Sequence, residues 1–173
     1  MKKSKEIAFL GLTAALGSVC LLLGSIVSVL DISCAVLASL LLVITYEELR
    51  WKSVSVYFAT LVISFCYTLF ASPLPAMEYA IFALFPLLLP LFNKIPKIFS
   101  YVAKSLYALI ASLLTVALTY FFVPGAIEKP YMIAVYVLIY VLVIILFDLL
   151  IVRFRRYYFF KLRHMLKIDR FFK

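Results

Sequence analysis

Positive charge is gathered at four places along this chain: Lys2 to Lys5, Arg50 and Lys52, Lys94 and Lys97, and Arg153 to Lys173 hold fifteen of its seventeen lysines and arginines. Long apolar stretches separate them. Cytoplasmic connections of membrane proteins carry a Lys/Arg excess, so a polytopic chain shows basic residues at every second connection and few at the others. This sequence keeps that alternation at each connection. With 67% hydrophobic residues, 14% charged residues and a mean hydropathy of +1.16, it is far more apolar than a globular domain, where about 25% of residues are charged. A water-soluble fold is excluded.

The net charge of +9 would in another setting point to nucleic acid. Here the basic residues flank apolar segments and form a tail, which a membrane explains directly, so no nucleic-acid partner is expected. Cys20, Cys34 and Cys66 all lie in apolar segments and form no C-x-x-C pair, so they read as packing residues rather than metal or redox groups.

The apolar run Ile7 to Tyr46 is forty residues long, about 60 Å as one helix, twice the hydrocarbon core of a bilayer. It must turn back, and Ser28 to Ser33 around Asp31 is the polar place for the turn. With no small-residue cleavage site before a polar mature chain, the run reads as a first hairpin rather than a signal peptide. Ser72-Pro73-Leu74-Pro75 ends the third segment, because proline lacks a donor and disfavours helix in the residue before it. Pro86 and Pro90 predict a kinked or locally unwound fourth helix. The expected fold is all-α: a six-transmembrane-helix bundle over residues 1–152, with spans at about 7–27, 32–46, 54–70, 76–92, 98–123 and 131–152, and a basic amphipathic tail over 153–173. Both termini are expected in the cytoplasm. In the tail, Phe154, Tyr158, Leu162, Met165 and Phe172 fall roughly on one side of a helix among eight basic residues, as suits an anionic inner leaflet or a cytosolic partner.

Ionisable residues inside apolar spans are costly unless paired or near water. Lys104 and Asp148 lie at similar depth near the basic ends of neighbouring helices, and an ion pair is expected, against a snorkelling Lys104 and an interfacial Asp148. Glu78 sits near the opposite ends of the helices, as do Asp31 and Glu128, with Tyr79, Tyr120, Tyr131 and Tyr136 at compatible depths. An outward pocket of acids and phenols would make Glu78, Asp31, Tyr79, Glu128, Tyr131 and Tyr136 ligand contacts; the plainer reading is an interfacial carboxylate among interfacial tyrosines. The first helix is dense in small residues, Ala8, Gly11, Ala14, Ala15, Gly17, Ser18 and Gly24. Gly11 and Ala15 form a small-xxx-small pair, suited to close packing within the bundle or to docking another subunit's helix. No H-E-x-x-H, G-x-S-x-G or G-x-x-x-x-G-K-[ST] sequence is present and the lone His164 lies in the basic tail, so neither an enzyme nor a resident cofactor is expected.

The basic N-terminus, the Ala/Gly-rich opening Lys5-Glu6-Ile7-Ala8-Phe9-Leu10-Gly11-Leu12-Thr13-Ala14-Ala15-Leu16, and six spans in so short a chain resemble the substrate-binding S components of energy-coupling factor transporters. The resemblance covers about Lys2 to Phe122. In that family an A-x-x-x-A pair on the first helix docks the transmembrane coupling subunit, and Gly11-x-x-x-Ala15 is the nearest match here, with glycine in place of the first alanine. The resemblance implies a multi-pass protein of a bacterial plasma membrane. Such a protein captures a small vitamin or metal outside the cell, and separate coupling and ATPase subunits drive its uptake. The ligand patterns of the riboflavin, thiamine, biotin, folate and cobalt members are absent, so the substrate is unassigned. A non-transporting scaffold or envelope assembly factor, built on the small-residue face and the basic tail, is the alternative, followed by a stand-alone carrier or lipid-handling protein.

Overall fold

The computed structural model describes residues 3–67, 72–122 and 130–165. All regular structure among them is helical: α1 (Lys3–Ile26), α2 (Asp31–Leu49), α3 (Ser53–Tyr67), α4 (Leu74–Phe92), α5 (Lys97–Phe122), α6 (Pro130–Tyr157) and the short α7 (Arg163–Met165), with single turns of tighter or wider helix at Ser28–Leu30, Arg50–Lys52 and Tyr158–Leu162. Five helical stretches are long and apolar enough to cross a membrane: Lys3–Ile26, Asp31–Cys66, Leu74–Phe92, Lys97–Phe122 and Tyr131–Met165.

The stretch Asp31–Cys66 is broken at Arg50, whose backbone takes φ 49° and ψ −121°. This left-handed conformation is uncommon for a residue with a side chain. Beyond it Lys52 forms an ion pair with Glu6 near the start of α1, and Thr60 reaches Gly17, where its Cγ2 would lie 3.2 Å from an added Cβ. Hence α3 runs back along α1, parallel to it and antiparallel to α2. The other helices alternate in the same manner. Gly24 faces Cys34 and Pro75, joining the ends of α1, α2 and α4. Phe82 and Phe85 of α4 meet Phe147 of α6 with ring centroids 5.7 and 6.2 Å apart, and Tyr107 of α5 donates to the Ile81 carbonyl. One end of the bundle gathers Glu6, Glu47, Glu48, Lys52, Arg155 and Arg163. The other carries Asp31 and Glu78.

α4 is the central element, burying Tyr79, Phe82, Ala83, Phe85 and Pro86. Around it, small and hydroxyl side chains let helices approach closely. Ser18, Ser39, Ser112 and Thr115 are buried, and each hydroxyl donates to the carbonyl four residues earlier, so none is left without a partner. Leucine, isoleucine, valine and phenylalanine cover the outside of α5 and α6, as expected where hydrocarbon is the solvent.

The elements depart from the expected spans in three respects. Several helices continue into charged sequence, because a helix does not stop where its apolar part stops: α1 begins at Lys3, α2 runs to Leu49 through Glu47 and Glu48, and α6 runs to Tyr157. α4 remains one α-helix across Pro86 and Pro90 with no unwound turn. Each proline removes a single donor, and the surrounding i to i−4 bonds and the burial of the Pro86 ring hold the rest. The segment after residue 152 is also not a separate element at first. It prolongs α6 and folds against α2, while residues 166–173 lie outside the described ones.

Gly11 and Gly24 of α1 should respond in opposite ways to alanine. A Cβ on Gly24 would lie 3.0 Å from Cys34 Cβ and 3.3 Å from Pro75, whereas one on Gly11 would meet nothing within 4 Å. Gly24→Ala is therefore expected to lower stability by about 1–3 kcal/mol through overpacking, and Gly11→Ala to leave it unchanged or slightly raised. Unfolding in mixed micelles of increasing denaturing detergent measures both.

Candidate functional site

Four groups of side chains stand out, and the first lies toward the Glu78 end. Glu78, one turn into α4, is 3% exposed, and the Tyr140 hydroxyl of α6 donates to its Oε1 at 2.8 Å. Its Oε2 is enclosed and has no partner. Asp31, the first residue of α2, also has an enclosed oxygen, Oδ1, without a partner, and lies within electrostatic reach of both Glu78 and Tyr140. Thr119 of α5 approaches the same Tyr140 hydroxyl. Four helices thus converge on one polar cluster in an apolar core.

The structure brings together only part of the residue set expected for this end. Glu78 and Asp31 share the cluster, but Tyr79, the next residue round the helix, turns to α3 and stacks on Tyr57 with centroids 5.9 Å apart. Tyr131 and Tyr120 are on the outside of the bundle, and Tyr136 is half-buried against the core. Glu128 lies outside the described residues. Tyr140 was missed from sequence. Its signal was a hydroxyl amid a long apolar helix, which must find a partner at that depth.

The second group is the Lys104 and Asp148 pair. Lys104 Nζ lies 2.8 Å from Asp148 Oδ2 and 3.0 Å from Oδ1, joining α5 to α6. The pair sits on the wall of a cavity of about 500 Å³ lined also by Phe85, Ser105, Ala108 and Ile144. Each charge satisfies the other.

The third is the outer face of α1. Thr13, Ala14, Gly17, Ser18, Leu21 and Gly24 are buried against the bundle. Ala8, Gly11, Leu12, Ala15, Leu16 and Val19 form the opposite, exposed stripe. Self-packing uses Gly17 and Gly24, and leaves Gly11 and Ala15 unused.

The fourth group closes the basic end. Tyr158 is buried and donates to Glu48 Oε1 at 2.7 Å, Arg163 Nε lies 3.1 Å from the same oxygen, and Arg155 pairs with Glu47. These contacts fix the described part of the C-terminal segment onto α2. The adjacent Glu47-Glu48 dipeptide in a connection otherwise basic was the sequence signal for them, since acids there need cationic partners. A cavity of about 320 Å³ opens between Tyr46, Glu47, Arg50, Asn93 and Arg155. Among the described residues no group of three or more His, Cys, Asp or Glu could hold a metal ion. Compared with protein-family models, with curated proteins and with solved structures, the chain matches none.

Proposed function

We propose that this protein is an S-component-like membrane subunit, which captures a small micronutrient outside the cell and hands it to a separate coupling subunit and its ATPases. One observation carries the reading: Gly11 and Ala15 lie on the outside of α1, where their small size serves no contact of the bundle itself. Small residues on an outward face permit a second helix backbone to approach closely. The buried, incompletely satisfied Glu78 beside Asp31 supports ligand capture at the other end, because a carboxylate in an apolar core is costly to keep without a use. In this reading the chain spans the membrane six times, the Asp31–Cys66 stretch crossing twice. The basic end and both termini face the cytoplasm, and the C-terminal segment adjoins an anionic inner leaflet of the plasma membrane.

Native mass spectrometry after purification from its own membranes in mild detergent tests the reading. Wild-type protein should bring with it a transmembrane subunit, two ATPase polypeptides and a retained small molecule, and Gly11→Leu/Ala15→Leu should lose the subunits alone. The scaffold alternative draws on a specific feature, since none of the three cavities of about 500, 450 and 320 Å³ is lined by Glu78. It predicts envelope proteins in place of ATPases and no retained molecule.

The orientation carries its own test. In a protein lacking Cys20, Cys34 and Cys66, an impermeant thiol reagent applied to intact cells should label Ser72→Cys and leave Lys52→Cys and Lys94→Cys unlabelled. Labelling of the latter two would invert the assignment.

A further inference from the structure

We propose that Glu78, Asp31 and Tyr140 hold a compact monovalent cation. As a carboxylate, Glu78 has its Oε2 buried without a donor, and such atoms are rare in folded proteins. Tyr140 already donates to Oε1, so its hydroxyl oxygen keeps lone pairs for a cation beside the carboxylate. The enclosed, unpartnered Oδ1 of Asp31 supplies a second negative field from the α2 side.

Charge placement gives the sign of the ligand. Among the described residues, the halves of the helices around this cluster carry Asp31 and Glu78 but no lysine or arginine. The bases lie at the other end or, for Lys104, against Asp148. Enclosure gives the size. Glu78 is 3% exposed and sits beside the fully buried Tyr79 and Phe82, so a ligand at its free oxygen is a compact ion rather than an organic amine. The ligand set gives the valence. Protein sites for calcium are built on several carboxylates, and the described residues offer no group of three acidic, Cys or His ligands. Sodium, potassium and ammonium share the required chemistry: one positive charge on a small body.

The inference does not depend on transport or on the coupling subunit, so its test is separate from theirs. Purified protein in lipid nanodiscs is unfolded thermally in the chlorides of sodium, potassium, ammonium and the bulky N-methyl-D-glucamine at equal ionic strength. At least one small cation should raise the melting temperature above the bulky-cation baseline in a saturable manner, and comparison of the three identifies which. Glu78→Gln should abolish the difference, and Tyr140→Phe, which leaves every charge in place, should weaken the apparent affinity by about tenfold. Equal melting temperatures in all four salts would overturn the proposal and assign the unpaired oxygens to water. An unaltered cation response in Tyr140→Phe would overturn it as well, which keeps the test decisive even where Glu78→Gln fails to fold.

Discussion

In the membrane setting of the proposed function, replacing Lys104 by methionine is expected to cost the protein about 3 kcal/mol or more, because it strands Asp148 among apolar helices without its cation. Lys104 lies seven residues past the start of α5, about 10 Å along the axis. Both carboxylate oxygens of Asp148 are within hydrogen-bond distance of its amine. Asp148→Leu strands the ammonium instead, and a lysine has a long stem by which to snorkel toward the headgroups. Its loss should therefore be the smaller of the two. The double variant removes both charges and leaves an apolar contact between α5 and α6, so it should recover most of the stability. Folded yield and unfolding in denaturing detergent, measured on the four proteins as a cycle, give the coupling directly. An additive double variant would mean that the pair contributes nothing jointly.

On the proposed function, the Gly11→Leu/Ala15→Leu protein should fold as well as wild type and still retain a small molecule, yet lose a coupling subunit and, with it, uptake. Folding should survive because an added Cβ at Gly11 meets nothing within 4 Å, in contrast to Gly17 and Gly24 on the opposite side of the same helix. Docking should not survive, because two leucines hold the backbones of the facing helices apart and forfeit the close contact on which association in lipid depends. The same pair of leucines placed at Gly17 and Gly24 should instead unfold the protein. Reversal of these outcomes would assign Gly11 and Ala15 to the protein's own core.

Much of this architecture was legible from where charges and prolines fall. The four basic clusters mark which helix ends lie together, and counting residues from those ends put Lys104 opposite Asp148 on antiparallel neighbours. Rotation about each helix axis was not legible. Depth alone grouped Tyr79 with Glu78, but consecutive residues on a helix point about 100° apart, so Glu78 turned to Tyr140 on α6 and Tyr79 to Tyr57 on α3. For the same reason the small residues of α1 could not be divided into inner and outer faces before the neighbours of Gly17 and Gly24 were known. Hydropathy likewise registers the apolar part of a helix and stops there. It passed over the charged turns in which Glu47 and Glu48 bind Arg155, Tyr158 and Arg163 and so fasten the end of α6.

The outer face of α1 tests the account most directly when a photo-crosslinking amino acid replaces Leu12, which is 60% exposed between Gly11 and Ala15. Irradiation of native membranes should join this position to one polytopic membrane protein that co-isolates with ATPase subunits. The product should vanish when Gly11 and Ala15 are both leucine. Crosslinks to lipid alone would contradict the assignment of this face to a coupling partner.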